Sequence, residues 1–582
     1  MEEWKRSLSN KRIEEHFAKY TYFNNLTKSD IDKMTSKVSL EQDIDFPLWI
    51  RTLEAIMANI NIPEDKYKRK HPEKPFYHLL YPFVDFFKLS FNEYVKSYNI
   101  TVPSNQVLGQ LESSLYEDLV CISWGVLIKE LSEFKKGKTK NLSNRENDFF
   151  YKKFVFKILS NKYKNLFLDY PMLARKLAVK THVFIGLSCN LFKRFQNDKH
   201  ELQAFFNKEF NKIRKLNLSS GDIHNGEATI IFEFDNSVKL VYKPSDSAVT
   251  LAFNSLLNWV NSCLGCKLKS FKVLLKDNYS WLEYVENKEC ENIKEIKSYY
   301  ENAGILTGIA YFLNARDFHY ENLIASGNSP VLIDHETVVN PIVKRENKRI
   351  KIDTVLETLL LPDKKKNKPS YIFGFGSSVQ LEKKGFTFKI KKGNTDDMSK
   401  VMENRTFKLY KSNKPKLDKK IKNLKDYDNE FAYGFKKLYF LIIKEKSFLL
   451  SDNSPLKSFE NLKIRFINRP TGVYFKLLSL LNKPEYLKDA TRYGIKIELL
   501  ARAYLDRDDW PVIVNSERRQ ILSDNIPIFY TNTSSKKLHL FKTRDIDDFD
   551  LSAMDVIYHK IKNAGKKDYV SQLNLIREAI PL

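Results

Sequence analysis

The feature that most constrains the fold of this 582-residue chain is a change of hydrophobic period near its middle. Up to about Phe195, apolar residues recur at three- and four-residue steps, as in FPLWIRTLEAIMANI, which predicts helices. In IIFEFDNSVKLVYK the apolar residues alternate, which predicts two strands and a turn. On the first strand, one face carries Ile230, Phe232 and Phe234, and the turn falls at Asp235 and Asn236. On the returning strand, one face carries Val238, Leu240 and Tyr242. The chain must therefore combine helices with a sheet.

Polar residues concentrate in RDFHYENLIASGNSPVLIDHET, residues 316–337. The apolar run from Gly304 to Leu313 predicts a buried helix before this stretch, and Pro330 to Ile333 predicts a buried strand within it. Taken singly, such residues are also typical of a surface loop followed by a short strand. The pattern D-x-H-x-x-N, a short hairpin and then Asp resembles the catalytic and metal-binding loops of lipid kinases. Phosphoryl transfer needs an Asp near the attacking hydroxyl, together with an amide and a second Asp on Mg²⁺.

Lys243 ends the predicted hairpin, where a kinase-like fold requires a cation that faces nucleotide phosphates. In a chain so rich in lysine, an ordinary surface cation is the simplest interpretation of this residue alone. The order of hairpin, lysine, helix and D-x-H-x-x-N is the kinase order, and it favours a phosphate-binding role.

The charge of the chain suits an anionic partner. Its 97 Lys and Arg residues against 72 Asp and Glu residues give a net charge of +25, which fits a nucleotide, nucleic acid, a membrane surface or an acidic peptide. No RNA- or DNA-binding motif is found, so nucleic acid is not expected as a partner. The start, MEEWKRSLSN, lacks the apolar centre of a signal peptide, and no apolar run approaches the length of a membrane span. We therefore expect a soluble cytoplasmic protein without a membrane span.

Five cysteines are too few for a disulfide framework in so long a chain. Cys263 and Cys266 form a CLGC motif that could be half of a zinc site, but no second pair lies at a suitable spacing. These thiols are therefore expected to be structural or incidental.

Four blocks together identify a family resemblance: GDIHNGEATIIFEF, KLVYKPSD, RDFHYENLIASGNSPVLIDHET and RFINRPTGVY. In this order they resemble the dehydratase domain of class II lanthipeptide synthetases, the LanM type, and the resemblance extends over nearly the whole chain. It implies an α+β fold with a lipid-kinase-like bilobal core, a large mostly helical N-terminal region and a helical C-terminal region. It also implies an enzyme that uses ATP and Mg²⁺ to phosphorylate Ser and Thr of a ribosomally made precursor peptide. Elimination of phosphate then leaves dehydroalanine or dehydrobutyrine.

Hydrophobic patterning and the resemblance together predict four parts of the chain. Residues 1–195 form the helical N-terminal region, and residues 196–338 form the kinase-like N-lobe with the catalytic and metal loops. Residues 339–427 are a basic, mobile, activation-like insertion, and residues 428–582 are the helical C-terminal lobe with the elimination motif.

The resemblance also implies roles for individual residues. Asp317 would orient or deprotonate the substrate hydroxyl, and His319 would support its loop. The nucleotide and metal would be held by Lys243, Asn322, Asp334 and Glu336, with Lys243 on the phosphates, Asn322 and Asp334 on Mg²⁺, and Glu336 as a further acidic member. Elimination would involve Asp222, His224, Arg465 and Thr471, with Tyr474 in the same motif. Without the other blocks, GDIHNG would be an ordinary turn and Arg465 a surface cation.

Three departures from the family pattern bear on these roles. His335 occupies a usually apolar position and would add a titratable group beside the metal site, and Glu227 stands where glycine is common. The family's full synthetases also carry a C-terminal zinc cyclase with Cys and His ligands, which this sequence does not supply. We therefore expect dehydration without cyclase activity.

Two alternatives to a dehydratase remain open. One is a peptide Ser/Thr kinase that lacks elimination, and the other is an accessory module that binds the leader segment without catalysis. The expected partners are a precursor peptide with a leader segment and a separate cyclase or other tailoring enzyme.

Overall fold

The computed structural model describes most of the chain. The described residues are 1–36, 45–60, 73–136, 147–218, 227–344, 350–366, 368–376, 382–408, 413–507 and 509–580. Helices and antiparallel sheets are combined in this chain, which confirms the α+β prediction. The lipid-kinase-like bilobal core and the four domain divisions remain predictions. Within the described ranges, no helix is both long enough and apolar enough to cross a membrane.

The N-terminal part is helical, as its hydrophobic period predicts. Its helices are α1 (Glu2–Leu8), α2 (Ile13–Phe23), α3 (Lys28–Thr35), α4 (Leu48–Ala58), α5 (Tyr77–Ser97), α6 (Asn105–Lys135), α7 (Phe149–Ser160), α8 (Lys164–Asp169) and α9 (Pro171–Phe206). Phenylalanines join α5 to α9, since the Phe87 ring lies 5.2 Å from that of Phe184 and the Phe91 ring lies 5.5 Å from that of Phe192. Burial of these large rings supplies much of the core of this part.

A five-stranded antiparallel sheet follows α9. It contains β1 (Ile213–Asn217), β2 (Ile230–Phe234), β3 (Lys239–Lys243), β4 (Val273–Leu275) and β5 (Ser280–Glu283) in the order β1-β2-β3-β5-β4, with helix α10 (Ala248–Leu264) between β3 and β4. Ile230 pairs with Tyr242 and Phe232 with Leu240, which confirms the predicted hairpin. One sheet face packs on the helices, because the Phe232 ring lies 5.3 Å from that of Phe195.

The buried helix and short hairpin predicted around residues 304–333 are also present. Helix α11 (Ile293–Phe312) is buried throughout residues 302–312, and β6 (Leu323–Ser326) pairs with β7 (Ser329–Leu332). Gly327 has φ +61° in the turn between these strands, a conformation that favours glycine. The polar residues of this region therefore lie at the ends of rigid, buried elements.

Strands dominate the regular structure between β7 and the next long helix. They are β8 (Ile342–Val343), β9 (Glu382–Lys391), β10 (Ser399–Lys408), β11 (Lys416–Leu417) and β12 (Lys420–Ile421). The connection between β9 and β10 contacts the N-terminal helices, because the Asp396 carboxylate accepts hydrogen bonds from the backbone N–H groups of Phe150 and Tyr151.

The C-terminal part begins with α12 (Asp428–Lys444), which crosses α11 at very short range. A Cβ atom added at Gly304 would collide with the carbonyl oxygen of Phe431, and one added at Gly434 would collide with that of Glu301. Glycine at both positions lets the two backbones approach, and this contact holds α11 in the core beside α12.

The remaining C-terminal elements mix helices with strands. They are α13 (Lys446–Leu449), β13 (Lys463–Phe466), α14 (Thr471–Leu481), α15 (Pro484–Leu487), α16 (Ala490–Ile497), α17 (Trp510–Leu522), β14 (Phe529–Asn532), β15 (Lys537–His539), β16 (Ile546–Asp547), β17 (Phe549–Leu551), α18 (Ala553–Asn563) and α19 (Lys566–Ala579). Strands β13 to β16 form one sheet, and β17 pairs with β8. Sequence periodicity indicates only helices here, because strands of two to four residues are too short to show an alternating pattern.

Candidate active site

A cavity of about 780 Å³ lies between the five-stranded sheet and the polar loop that follows α11. Strands β2, β3 and β5 line one side, and β13 with the start of α14 closes another. Of the predicted site residues, the cavity lining includes Lys243, Asp317, His319, Asn322, Asp334, Arg465 and Thr471. Segments far apart in the sequence thus meet at one site.

Lys243 is the buried cation of this site and the last residue of β3. Its Nζ lies 2.7 Å from Asp334 Oδ1 and 3.0 Å from Glu336 Oε1. Burial alone disfavours the ammonium, but the two carboxylates outweigh it and raise the pKa of Lys243. Burial also opposes ionisation of Asp334, yet the Lys243 charge and hydrogen bond lower the pKa of that carboxyl to about 2. Both groups are therefore charged at neutral pH.

Asp317 lines the same cavity and has a strained backbone conformation. Its φ is +65°, a region that residues with a side chain rarely adopt, and its side chain remains 39% exposed. His319 Nε2 lies 4.0 Å from Asp317 Oδ1, and Asn322 Nδ2 donates a hydrogen bond to the Asp317 carbonyl oxygen at 2.9 Å. Burial raises the pKa of the Asp317 carboxyl, while the neighbouring His319 opposes that shift. His319 and Asn322 therefore both contact the loop that contains Asp317. Their predicted roles, support of that loop for His319 and Mg²⁺ binding for Asn322, remain predictions.

Arg465 and Thr471 enter the site from the C-terminal part. Arg465 lies on β13, and its Nη1 is 3.3 Å from Glu336 Oε2. Thr471 is the first residue of α14 and lines the cavity beside Pro470 and Gly472. Glu336 therefore bridges Arg465 and Lys243, because a different oxygen of its carboxylate faces each cation.

Tyr474 is placed differently from the other members of its motif. It is buried, and its hydroxyl donates to Glu517 Oε1, which also accepts from Arg469 Nε at 2.8 Å and from the Tyr504 hydroxyl at 3.0 Å. These bonds anchor the segment that contains Arg465 and Thr471, because Arg469 and Tyr474 both bind Glu517. The predicted role of Tyr474 in elimination remains a prediction.

Sequence reasoning missed Glu517 and the apolar half of the cavity. Glu517 lies four residues from both Ile513 and Ile521 on the buried face of α17, so a charge at an apolar position was the available signal. Ile231 and Val241, which line the cavity, lie on the hairpin face opposite the one that packs on α9. Strict alternation in the hairpin already implied this second face.

The structure corrects the expectation for His335. This side chain is buried, with its ring 4.4 Å from that of Phe253 and 5.6 Å from that of Phe271. Burial lowers the pKa of His335 to about 3, so the ring is neutral at ordinary pH. His335 therefore fills an apolar position and adds no titrating group near pH 7.

Glu227 pairs with Arg194 at 2.9 Å, whereas Asp222 and His224 lie outside the described residues.

The site is thus a cleft between an antiparallel sheet and the polar loop after α11. Comparison with known sequences shows the family to which a chain with this site belongs. The chain belongs to the family described as Domain of unknown function (DUF4135), whose model matches residues 170–532. A curated relative is the Lacticin 481/lactococcin biosynthesis protein LcnDR2 of Lactococcus lactis subsp. lactis, which is 26% identical over 530 residues. That match covers 86% of this chain and 55% of the relative, so the chain spans about half of the relative's length. These matches confirm the resemblance to the dehydratase domain of class II lanthipeptide synthetases.

Proposed function

We propose that this chain is an ATP-dependent dehydratase of a ribosomally made precursor peptide. It phosphorylates Ser and Thr side chains and eliminates the phosphate, which leaves dehydroalanine or dehydrobutyrine. The observation that carries the proposal is the bridge at Glu336, which joins Lys243 to Arg465. These two cations line the same cavity as Asp317. The relative's printed role in lacticin 481 and lactococcin biosynthesis supports the same class of substrate.

The residues of the cavity fit ATP together with Mg²⁺. The volume of about 780 Å³ suits a small-molecule ligand, and Ile231, Val241 and Val285 offer an apolar wall near the polar groups. Asn322 and Asp334 would hold the metal, since amide and carboxylate oxygens are its usual protein ligands. Mg²⁺ commonly takes only one or two carboxylates beside phosphates and waters, so this small donor set is sufficient. When bound, the metal supplies positive charge that neutralises the phosphates.

The first half-reaction requires a base at the substrate hydroxyl and a cation at the phosphates. Asp317 accepts the proton of the Ser or Thr hydroxyl, whose oxygen forms the new bond to the γ-phosphorus of ATP. The bond from that phosphorus to the β–γ bridging oxygen breaks, and ADP leaves with its electron pair. His319 and Asn322 keep the Asp317 loop in its strained conformation. Lys243 binds the phosphates, and for this it must exchange part of its contact with Asp334 and Glu336 for phosphate oxygens.

The second half-reaction removes the α-proton of the phosphorylated residue. As a base takes this proton, the Cα=Cβ double bond forms and the Cβ–O bond breaks, and phosphate leaves with the electron pair. Phosphate is a far better leaving group than hydroxide, so phosphorylation in the first step makes elimination possible in the second. Arg465 and Thr471 stabilise the departing phosphate by charge and by hydrogen bonding. Asp222 and His224 remain the proposed participants in proton transfer.

Two other functions make different predictions. A peptide kinase without elimination would release phosphopeptide, and an accessory module for the leader segment would bind peptide without consuming ATP. The position of Arg465 and Thr471 in the same cavity as Asp317 favours the dehydratase. The proposal covers dehydration alone.

The test first searches the genes beside that of this protein for short peptides with a Ser/Thr-rich C-terminal segment. Each such peptide is made synthetically and incubated with the protein, ATP and Mg²⁺. Mass spectrometry should show loss of one water per modified residue. Asp334→Asn should abolish the change, whereas Asp452→Asn, at a side chain that is 98% exposed, should not. Unmodified peptide with the wild type would contradict the proposal, and phosphopeptide as its final product would favour the kinase.

A further inference from the structure

A second opening lies beside the candidate active site. This groove, which we call the side groove, has a volume of about 440 Å³. It runs between the loop after α11, the strand β8 and residues 350–359, with Lys368 at its edge. Arg316, Ile342, Val343, Asp353, Ile467 and Asp550 are among its lining residues.

Two residues belong to both openings. Asp317 and Ile467 line the side groove as well as the large cavity. The partly exposed carboxylate of Asp317 therefore lies at the junction of two spaces, one of which contains Lys243, Asn322 and Asp334 on its walls. A group held in the side groove can reach Asp317 without occupying the part of the large cavity proposed for the nucleotide.

The walls of the side groove are suited to a polypeptide segment. Ile342, Val343 and Ile467 supply apolar surface. Arg316 Nε lies 3.0 Å from Asp353 Oδ2, so these two opposite charges are paired with each other. Glu357 is engaged too, because its carboxylate accepts the backbone N–H of Thr354 at 3.1 Å. The other charged residues of the lining are Lys351, Lys368, Asp317 and Asp550. Positive charge is therefore not in excess in the side groove, whereas a second nucleotide would require such an excess.

We propose that the side groove binds the acceptor segment of the peptide, in extended conformation, so that a Ser or Thr side chain points at Asp317. This inference rests on the proposed function and specifies where its second substrate enters. Phosphoryl transfer requires the attacking and leaving oxygens to lie roughly in line on opposite sides of phosphorus. A donor in the large cavity and an acceptor in the side groove would meet at Asp317 from separate spaces, an arrangement that is compatible with that requirement.

Bulky substitutions in the side groove test this assignment. Val343→Trp narrows it at β8, and Ile350→Trp does so at a residue that is 51% exposed, where folding is not at risk. Val102→Trp, at a valine that is 64% exposed in the N-terminal part, is the matched control. The KM for the synthetic precursor peptide is measured with each variant, and ATP affinity is measured by calorimetry without peptide.

Both side-groove variants should raise the peptide KM about tenfold or more, which corresponds to about 1.4 kcal/mol, and should leave ATP affinity unchanged. Val102→Trp should change neither quantity. If Val343→Trp lowers the melting temperature strongly, Ile350→Trp decides the question. The isolated leader segment should bind wild type and Ile350→Trp equally.

Three results would overturn the inference: an unchanged peptide KM in a folded variant, a loss of ATP affinity, or weaker binding of the isolated leader. The last would show that the side groove binds the leader and not the acceptor segment. Failure of the proposed function itself looks different, because the wild-type protein would then modify no peptide at all.

Discussion

The Arg465 guanidinium lies 3.3 Å from one oxygen of the Glu336 carboxylate, although 129 positions separate the two residues in the sequence. The other oxygen of Glu336 lies 3.0 Å from Lys243 Nζ. One carboxylate thus links the cation proposed for phosphoryl transfer to the cation proposed for elimination. A phosphate transferred to the peptide beside Lys243 would remain within reach of Arg465, so the intermediate need not leave the cavity between the two steps.

The two half-reactions should separate when Arg465 or Thr471 is replaced by alanine. Neither side chain is required to hold the nucleotide, whereas both stabilise the departing phosphate. Loss of one such interaction should slow elimination by about 10²–10³-fold while phosphorylation continues. Phosphopeptide should therefore accumulate in mass spectra. Arg492→Ala, at an exposed arginine, is the control that should give only dehydrated peptide. Unphosphorylated peptide with both site variants would refute this division of labour.

Replacement of Lys243 should weaken nucleotide binding. Lys243→Ala removes the cation and leaves Asp334 and Glu336 without its neutralising charge, so a triphosphate would be repelled. We expect ATP affinity by calorimetry to fall at least about tenfold, and to fall similarly for the wild type in EDTA. Lys215→Ala, an exposed lysine on β1, should bind ATP normally. Binding by the wild type that persists in EDTA would exclude the proposed metal.

Asp317→Asn should separate binding from chemistry. The amide cannot accept the hydroxyl proton as the carboxylate does, but it removes no group that is proposed to hold the nucleotide or the metal. ATP affinity should stay within about twofold of wild type, whereas phosphorylation should fall by about 10²-fold or more. Single-turnover assays with labelled ATP measure the second quantity. Wild-type turnover by this variant would remove Asp317 from the chemistry.

The contact between α11 and α12 should tolerate no side chain at Gly304. Gly304→Ala forces the helices apart at the Phe431 carbonyl, and we expect a loss of about 1–3 kcal/mol in the free energy of unfolding. Gly186→Ala on α9 has no atom near its added Cβ, so it should be neutral or stabilise by up to about 1 kcal/mol. Urea denaturation compares the two. Equal stability of both variants would show that the close approach is unimportant.

The net charge of +25 should make peptide binding depend on salt. An acidic or amphipathic leader segment would be attracted by the positive surface, and ions screen such attraction over about 8–10 Å at 0.10–0.15 M. Peptide affinity should therefore fall as sodium chloride is raised, as measured by fluorescence anisotropy of a labelled leader. An affinity that does not depend on salt would show that the positive charge does not attract the leader segment.

The local hydrophobic pattern of the sequence was sufficient to predict the elements that carry much of the site. The alternation from Ile230 to Tyr242 predicted the hairpin, and the apolar run from Gly304 to Leu313 predicted the buried helix. Both patterns arise from the period of the backbone itself, which nearby residues determine. Once these elements were located, the polar residues at their ends were candidates by position alone.

Only the tertiary structure decided which of those candidates meet. It brings Lys243 to Asp334 across 91 positions, directs Tyr474 toward Glu517, and leaves the His335 ring neutral between two phenylalanines. It also opens a second groove onto Asp317. Each outcome depends on how distant elements pack, because burial, pKa and cavity shape are set by neighbours in space. The sequence determined the elements and their polar ends, whereas packing determined the charge states and the shape of the site.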